Sequence, residues 1–186
     1  MRDPAGLSIK AWAKEYEESS FFFEQEFEKG RRIIAWSEEP EQIKAALYAI
    51  IGNFPDTVEI LLKIEVCRDS ENRCQWSRFH GETNQSLLIR VIRENELYVF
   101  ADGMHQLCLK DPNSDRYVAF DEHGIFFVYS PNAADVEIFR SLKFDPHYAE
   151  PIYSMPHFQC TPPDSEVLEH KFVKDLKLNE SNSDLD

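Results

Sequence analysis

The chain has 186 residues, 42% of them apolar and 29% charged, a balance that suits a globular domain with a real core. Its 34 Asp and Glu against 20 Lys and Arg give a formal charge of −14, which opposes generic binding to nucleic acid or anionic membrane and draws in basic partners. Arg2, Asp3, Lys10, Lys14, Glu15, Glu17 and Glu18 stand where a secretory leader would be apolar, and no stretch reaches membrane-spanning length. A cytoplasmic protein is therefore expected, with Cys67, Cys74, Cys108 and Cys160 reduced.

In chain order, residues 7–29 read as helical, because Ile9, Trp12, Ala13, Tyr16, Phe23 and Phe27 recur at helical spacing and Gly30 supplies a stop. A second helix spans 38–51. Ser37 is its cap, Pro40 lies in its first turn, and Ile43, Ala46, Leu47, Ile50 and Ile51 form its apolar stripe. Thr57–Cys67 is rich in β-branched and Leu residues and reads as a strand, followed by a polar, irregular stretch to Gln85 in which Trp76 and Phe79 are anchors.

Five further strands are expected at Leu87–Arg93, Glu96–Ala101, His105–Lys110, Arg116–Asp121 and Ile125–Tyr129, with turn chemistry between them. Residues 86–94 also fit a helical face through Leu87, Leu88, Val91 and Ile92; the strand is preferred. Ser130-Pro131 opens a helix to residue 143. Between Pro146 and Pro163, prolines alternate with Tyr148, Ile152, Tyr153, Met155 and Phe158, which predicts an extended strap laid across the domain. A last helix is expected over Glu166–Leu178, then a frayed polar tail at 179–186.

The expected architecture is thus α+β. A single domain over 1–178 carries an antiparallel meander of five or six strands, helices on one face, and the strap over an edge or the second face.

The chemical motifs that would name an activity are missing. Six glycines never fall at phosphate-loop spacing, and no G-x-S-x-G elbow occurs. His157-x-x-Cys160 is half a zinc pair, and Cys67 and Cys74 are too far apart for a knuckle, so neither metal nor cofactor is expected. His105 and Cys108 lie three apart on one strand and should face opposite ways.

Two constellations remain. In a meander, alternate turns share one end of the sheet, so Asp102, His105, Asp121, Glu122 and His123 should gather along one rim, about 10 Å between turns, where carboxylates beside imidazoles can do acid–base chemistry. Turn preference by itself also explains these residue types. Arg68, Arg73, Arg78, Arg90 and Arg93 crowd one part of the chain with Trp76, the composition of an anion pocket or an Arg–aromatic binding patch; pairing with the surplus carboxylates explains them equally.

The run Tyr117–Leu142, strand–turn–strand–Ser-Pro–helix, broadly resembles small acidic bacterial α+β proteins that bind and neutralise toxins. It contains no diagnostic motif, and no functional residue is carried over from it. The expectation from the whole sequence is a binding protein, regulatory or toxin-neutralising in kind, that presents an acidic surface to another protein, a basic one by charge. The alternative is a hydrolase-like enzyme with a non-standard site at Asp102, His105, Asp121 and His123.

Overall fold

The computed structural model describes residues 10–12, 19–27, 30–67, 74–154 and 158–181. Its centre is a mixed sheet of nine strands in the order β11-β5-β4-β6-β7-β8-β3-β2-β9. In chain order these are β2 (Ser20–Phe27), β3 (Gly30–Ser37), β4 (Thr57–Cys67), β5 (Cys74–Asn84), β6 (His105–Lys110), β7 (Tyr117–Phe120), β8 (Phe126–Tyr129), β9 (Asp145–Pro146) and β11 (Asn179–Glu180). The short β1 (Ala11–Trp12) and β10 (Phe158–Gln159) pair apart from it. The helices are α1 (Pro40–Gly52), α2 (Gln85–Glu94), α3 (Glu96–Ala101), α4 (Ala133–Ser141) and α5 (Ser165–Asp175).

The α+β class stands, but the sheet is larger than the expected five or six strands, and it is mixed, since β2 pairs with β9 in parallel and with β3 antiparallel. Five strands are added, β2, β3, β5, β9 and β11, and two of the expected strands are helices. Residues 20–27 are a strand, not part of a helix. Phe21 and Phe22 are both buried, one on each face, and Phe23, Gln25 and Phe27 then alternate with exposed Glu24 and Glu26. That is a period of two. Gly30, at φ +131, begins β3 instead of ending a helix. The rest of the expected 7–29 helix, apart from Lys10 and β1, lies mostly outside the described residues.

Residues 86–94 form α2. Asn84 accepts a hydrogen bond from the Leu87 amide at 2.7 Å and caps the helix, while Leu88, Val91 and Ile92 share its buried side. Residues 96–101 form α3, whose apolar run Tyr98–Ala101 is buried throughout and so carries no periodicity to betray it. The polar stretch after Cys67 returns as β5, paired along its whole length with β4 from Thr57↔Asn84 to Cys67↔Cys74.

The helices expected at 38–51, 131–143 and 166–178 are present as α1, α4 and α5. Residues 179–180, expected in the tail, add to β5.

All five helices pack on one face of the sheet. Leu47 and Ile50 of α1, Leu88 of α2, Phe139 of α4 and Phe172 of α5 share one core with Ile33, Val58, Leu62, Leu107, Val118 and Phe126. The strap covers part of the opposite face, where Ala149 and Ile152 lie against Phe21, Ile34 and Trp36. Across β4, β6 and β7 that second face has no described helix over it. No helix among the described residues is long and apolar enough to cross a membrane.

Candidate functional site

The rim foreseen from the sequence does assemble. A Cβ on Gly103 would lie 3.1 Å from the Glu122 carbonyl oxygen and 2.4 Å from that of Lys10, so the two turns touch and Gly103 is required for the approach. Asp102, His105 and Asp121 are all buried, and His123 is largely so.

What fills the rim is a residue that the sequence did not single out. Lys10 is 1% exposed and donates to the His105 carbonyl at 2.9 Å and the Asp121 carbonyl at 3.0 Å, with its Nζ 3.2 Å from His105 Nε2. Its ammonium also lies 4.5 Å from the centre of the Phe120 ring. Burial drives the Lys10 amine down to about 8, against the carboxylates of Asp121, Asp102 and Glu122. Burial and the nearby ammonium hold His105 well below the ordinary imidazole range, so it is neutral. Its Nε2 faces the Lys10 amine, while Nδ1 is buried with no hydrogen-bond partner among the described residues. The ring stacks on Tyr98 at 4.3 Å.

The carboxylates are engaged by their own turns. Asp121 Oδ1 accepts from the His123 and Ile125 amides at 2.9 and 2.7 Å, and Asp102 accepts from the Met104 amide at 2.8 Å and from Ser165 Oγ. Asp121, Glu122 and His123 lie within metal-sharing distance of one another. The His123–Asp121 hydrogen bond at 3.1 Å and the Lys10 ammonium behind it already balance that cluster. The arrangement is a closed polar network that fastens the turns to the Lys10 segment, with His105 Nδ1 and the stacked Tyr98 hydroxyl left without hydrogen-bond partners among the described residues; the described hollows of the molecule lie elsewhere.

His123 offers a direct check. Burial disfavours its charge, but the Asp121 hydrogen bond and the Asp121 and Glu122 charges outweigh it and raise its pKa above 6.5. Asp121→Asn is expected to return the His123 midpoint, followed by ring-proton NMR, to 6.5 or below; an unchanged midpoint would remove Asp121 as the cause.

The arginine constellation divides. Arg68 and Arg73 lie outside the described residues, as does the side chain of Trp76. Arg78 faces away from the helices, opposite Lys63 in the β4–β5 register, whereas exposed Arg90 and Arg93 sit on α2 on the helical side, with Arg93 over the Tyr48 ring at 5.2 Å. Arg78 therefore does not converge with Arg90 and Arg93.

The site-like geometry is on the second face of the sheet. Two hollows meet there, of about 600 and 360 Å³, sharing Lys63, Cys108 and Tyr117. They arise from strand alternation. Leu61, Cys108, Ala119 and Phe127 form one cross-strand row over β4, β6, β7 and β8, and Cys108 and Ala119 in the middle are small. Larger side chains stand around that dip. Tyr117 and Tyr129 stack at 4.1 Å on one side, Lys63 and Gln106 stand on the other, and Tyr153 of the strap is at the end.

The outer hollow extends to His80 and Glu82 of β5 and to Glu59 and Lys110, which pair at 3.1 Å. In the inner one, Arg32 lies between 5.3 and 5.7 Å from the Phe27, Phe127 and Tyr129 rings, and donates to Gln25 Oε1 at 2.7 and 2.9 Å and to the Tyr129 hydroxyl at 3.2 Å. Burial pushes the Cys108 thiol up to about 11, so it is a protonated floor residue and a poor nucleophile at neutral pH.

Sequence reasoning missed this groove because its residues come from six separate strands and the strap. The one available signal was the alternation of Tyr117, Ala119, Phe127 and Tyr129 with core residues. No family model matches the chain, and no curated protein or solved structure is significantly similar to it.

Proposed function

We propose that the protein is a binding module that receives a segment of another protein in the groove on the second face of its sheet. The observation that carries this reading is the groove itself. It is a concave, aromatic-walled depression with an apolar floor of Leu61, Ala119 and Phe127, left between the strap and the edge of the sheet, where helix or loop would otherwise cover an apolar face.

Its residue types are those that serve interfaces. Tyr117, Tyr129 and Tyr153 offer large contact area at little entropic cost, and Arg32 is already oriented by its ring contacts. The charge of −14 adds long-range attraction for a partner that is basic overall, which raises its association rate most at low salt. A solvated acidic surface and an apolar groove therefore take separate parts: one guides approach, the other holds the contact.

The test is capture from cell lysate at low and high salt, with wild type and Leu61→Asp side by side. Leu61 is half-buried on the groove side, so the new carboxylate lands on the apolar floor while the helical core is untouched. A stoichiometric partner is expected that wild type retains and Leu61→Asp loses by tenfold or more, about 1.4 kcal/mol. Equal capture by both proteins would place any partner elsewhere and end this reading.

A further inference from the structure

The inner hollow combines a deficit of countercharge with an end at the strap. Acidic residues outnumber basic ones, yet two cations here lack carboxylate partners among the described residues. Among the described residues Arg32 hydrogen-bonds only to the neutral Gln25 and Tyr129 side chains. These contacts use three of its five N–H donors and leave two. Lys63 makes no ion pair with a described residue, and its cross-strand neighbours on this face are Arg78 and Gln106. Both cations line the same 360 Å³ hollow as Tyr117.

The strap also lies at that end. The row Leu61–Cys108–Ala119–Phe127 continues in register to Ile34, and Ile34 lies under Ile152 of the strap. A segment entering from the β5 side thus runs toward Tyr153 and the strap, beneath which the row passes at Ile34 and Ile152.

Resting on the binding-module reading above, we propose that the Arg32–Lys63 hollow is a carboxylate subsite that receives the C-terminal carboxylate of the partner's segment. Arg32 supplies its remaining guanidinium donors, Lys63 its ammonium, and the Tyr117 and Gln106 side chains further polar contacts. Charge-assisted hydrogen bonds of this kind are the strong ones, and capture of a terminal carboxylate is a recurring mode of peptide recognition.

The experiment follows backbone amide shifts of Lys63, Cys108 and Ala119 in the labelled full chain. Four probes are added in turn: a pool of acetylated random hexapeptides with free C-termini, the same pool C-terminally amidated, an amidated pool with a fixed central glutamate, and inorganic phosphate. The free-carboxylate pool is expected to move these amides, and the amidated pool to need at least tenfold higher concentration. Lys63→Gln and Arg32→Gln should each weaken the response tenfold or more. Lys63→Gln removes no described ion pair, so it remains folded even if Arg32→Gln does not.

Equal shifts from the amidated pool, the glutamate pool or phosphate would overturn the assignment to a chain terminus. If a partner is captured in a Leu61→Asp-sensitive way and yet is held equally by Lys63→Gln and Arg32→Gln, the groove stands and the carboxylate subsite falls. If neither peptide pool nor partner engages the groove, both fall.

Discussion

Replacing Asp135 with alanine is expected to cost about 3–5 kcal/mol of stability, enough to unfold a large share of a marginally stable domain. Asp135 is 0% exposed, and its carboxylate receives Arg116 Nη2 at 2.5 Å and Nε at 3.1 Å, a two-point contact with a guanidinium that is itself 6% exposed. The same carboxylate accepts from the Asn132 amide at 2.9 Å, while Asn132 Oδ1 accepts from the Asp135 amide at 3.1 Å, closing a capping box at the start of α4.

Removing Asp135 therefore does two things. It leaves a desolvated guanidinium over the Phe54 ring with no anion, and it opens the first turn of α4. The cap accounts for about 1 kcal/mol and the stranded charge for the larger part. A double replacement, Arg116→Met with Asp135→Leu, should recover most of the charge component and none of the cap. Urea unfolding of the three variants checks this. A loss under about 1 kcal/mol for Asp135→Ala would mean that Arg116 finds another partner or reaches water.

The second large effect is a pH dependence carried by Lys10. In the folded chain its amine titrates at about 8, against 10.5 when exposed. Between those values the unfolded chain binds a proton that the folded chain does not, so stability rises with pH across that window. Below pH 8 the full cost of the buried ammonium is present; above 10.5 it is gone. The difference is on the order of 3 kcal/mol.

Lys10→Met isolates the effect. The stability of wild type relative to Lys10→Met should increase in favour of wild type by that amount between pH 7.5 and 10.5, as read from denaturant midpoints. A flat difference would show that Lys10 reaches solvent. Lys10 also ties the two rim turns together through the His105 and Asp121 carbonyls, so its loss should loosen both. Exchange of the Gly103 and Gly124 amides reports that.

Much of the secondary structure was written locally. The stripe Ile43–Ala46–Leu47–Ile50–Ile51 with Pro40 in the first turn specifies α1 without help, and the β-branched run Thr57–Cys67 specifies β4. Acidity, the absence of phosphate loops and nucleophile elbows, and the meeting of the 102–103 and 121–124 turns at one rim are likewise properties of residue type and spacing.

What the sequence by itself could not decide was anything that depends on which faces are covered. Phe21-Phe22-Phe23 fits a helix or a strand until the strap and the core claim opposite sides of it. Tyr98–Ala101 is buried on every side, and a segment without an exposed face has no periodicity to read. Lys10 looks like one more surface lysine until the tertiary fold closes the rim over it. The groove is the clearest case. Cys108 and Ala119 are ordinary in type, yet their pairing across β6 and β7, beneath three tyrosines from separate elements, makes the hollow. A concave surface is a relation among side chains on different strands, so strand order and the path of the strap, not local propensity, determined where this protein has room for a ligand.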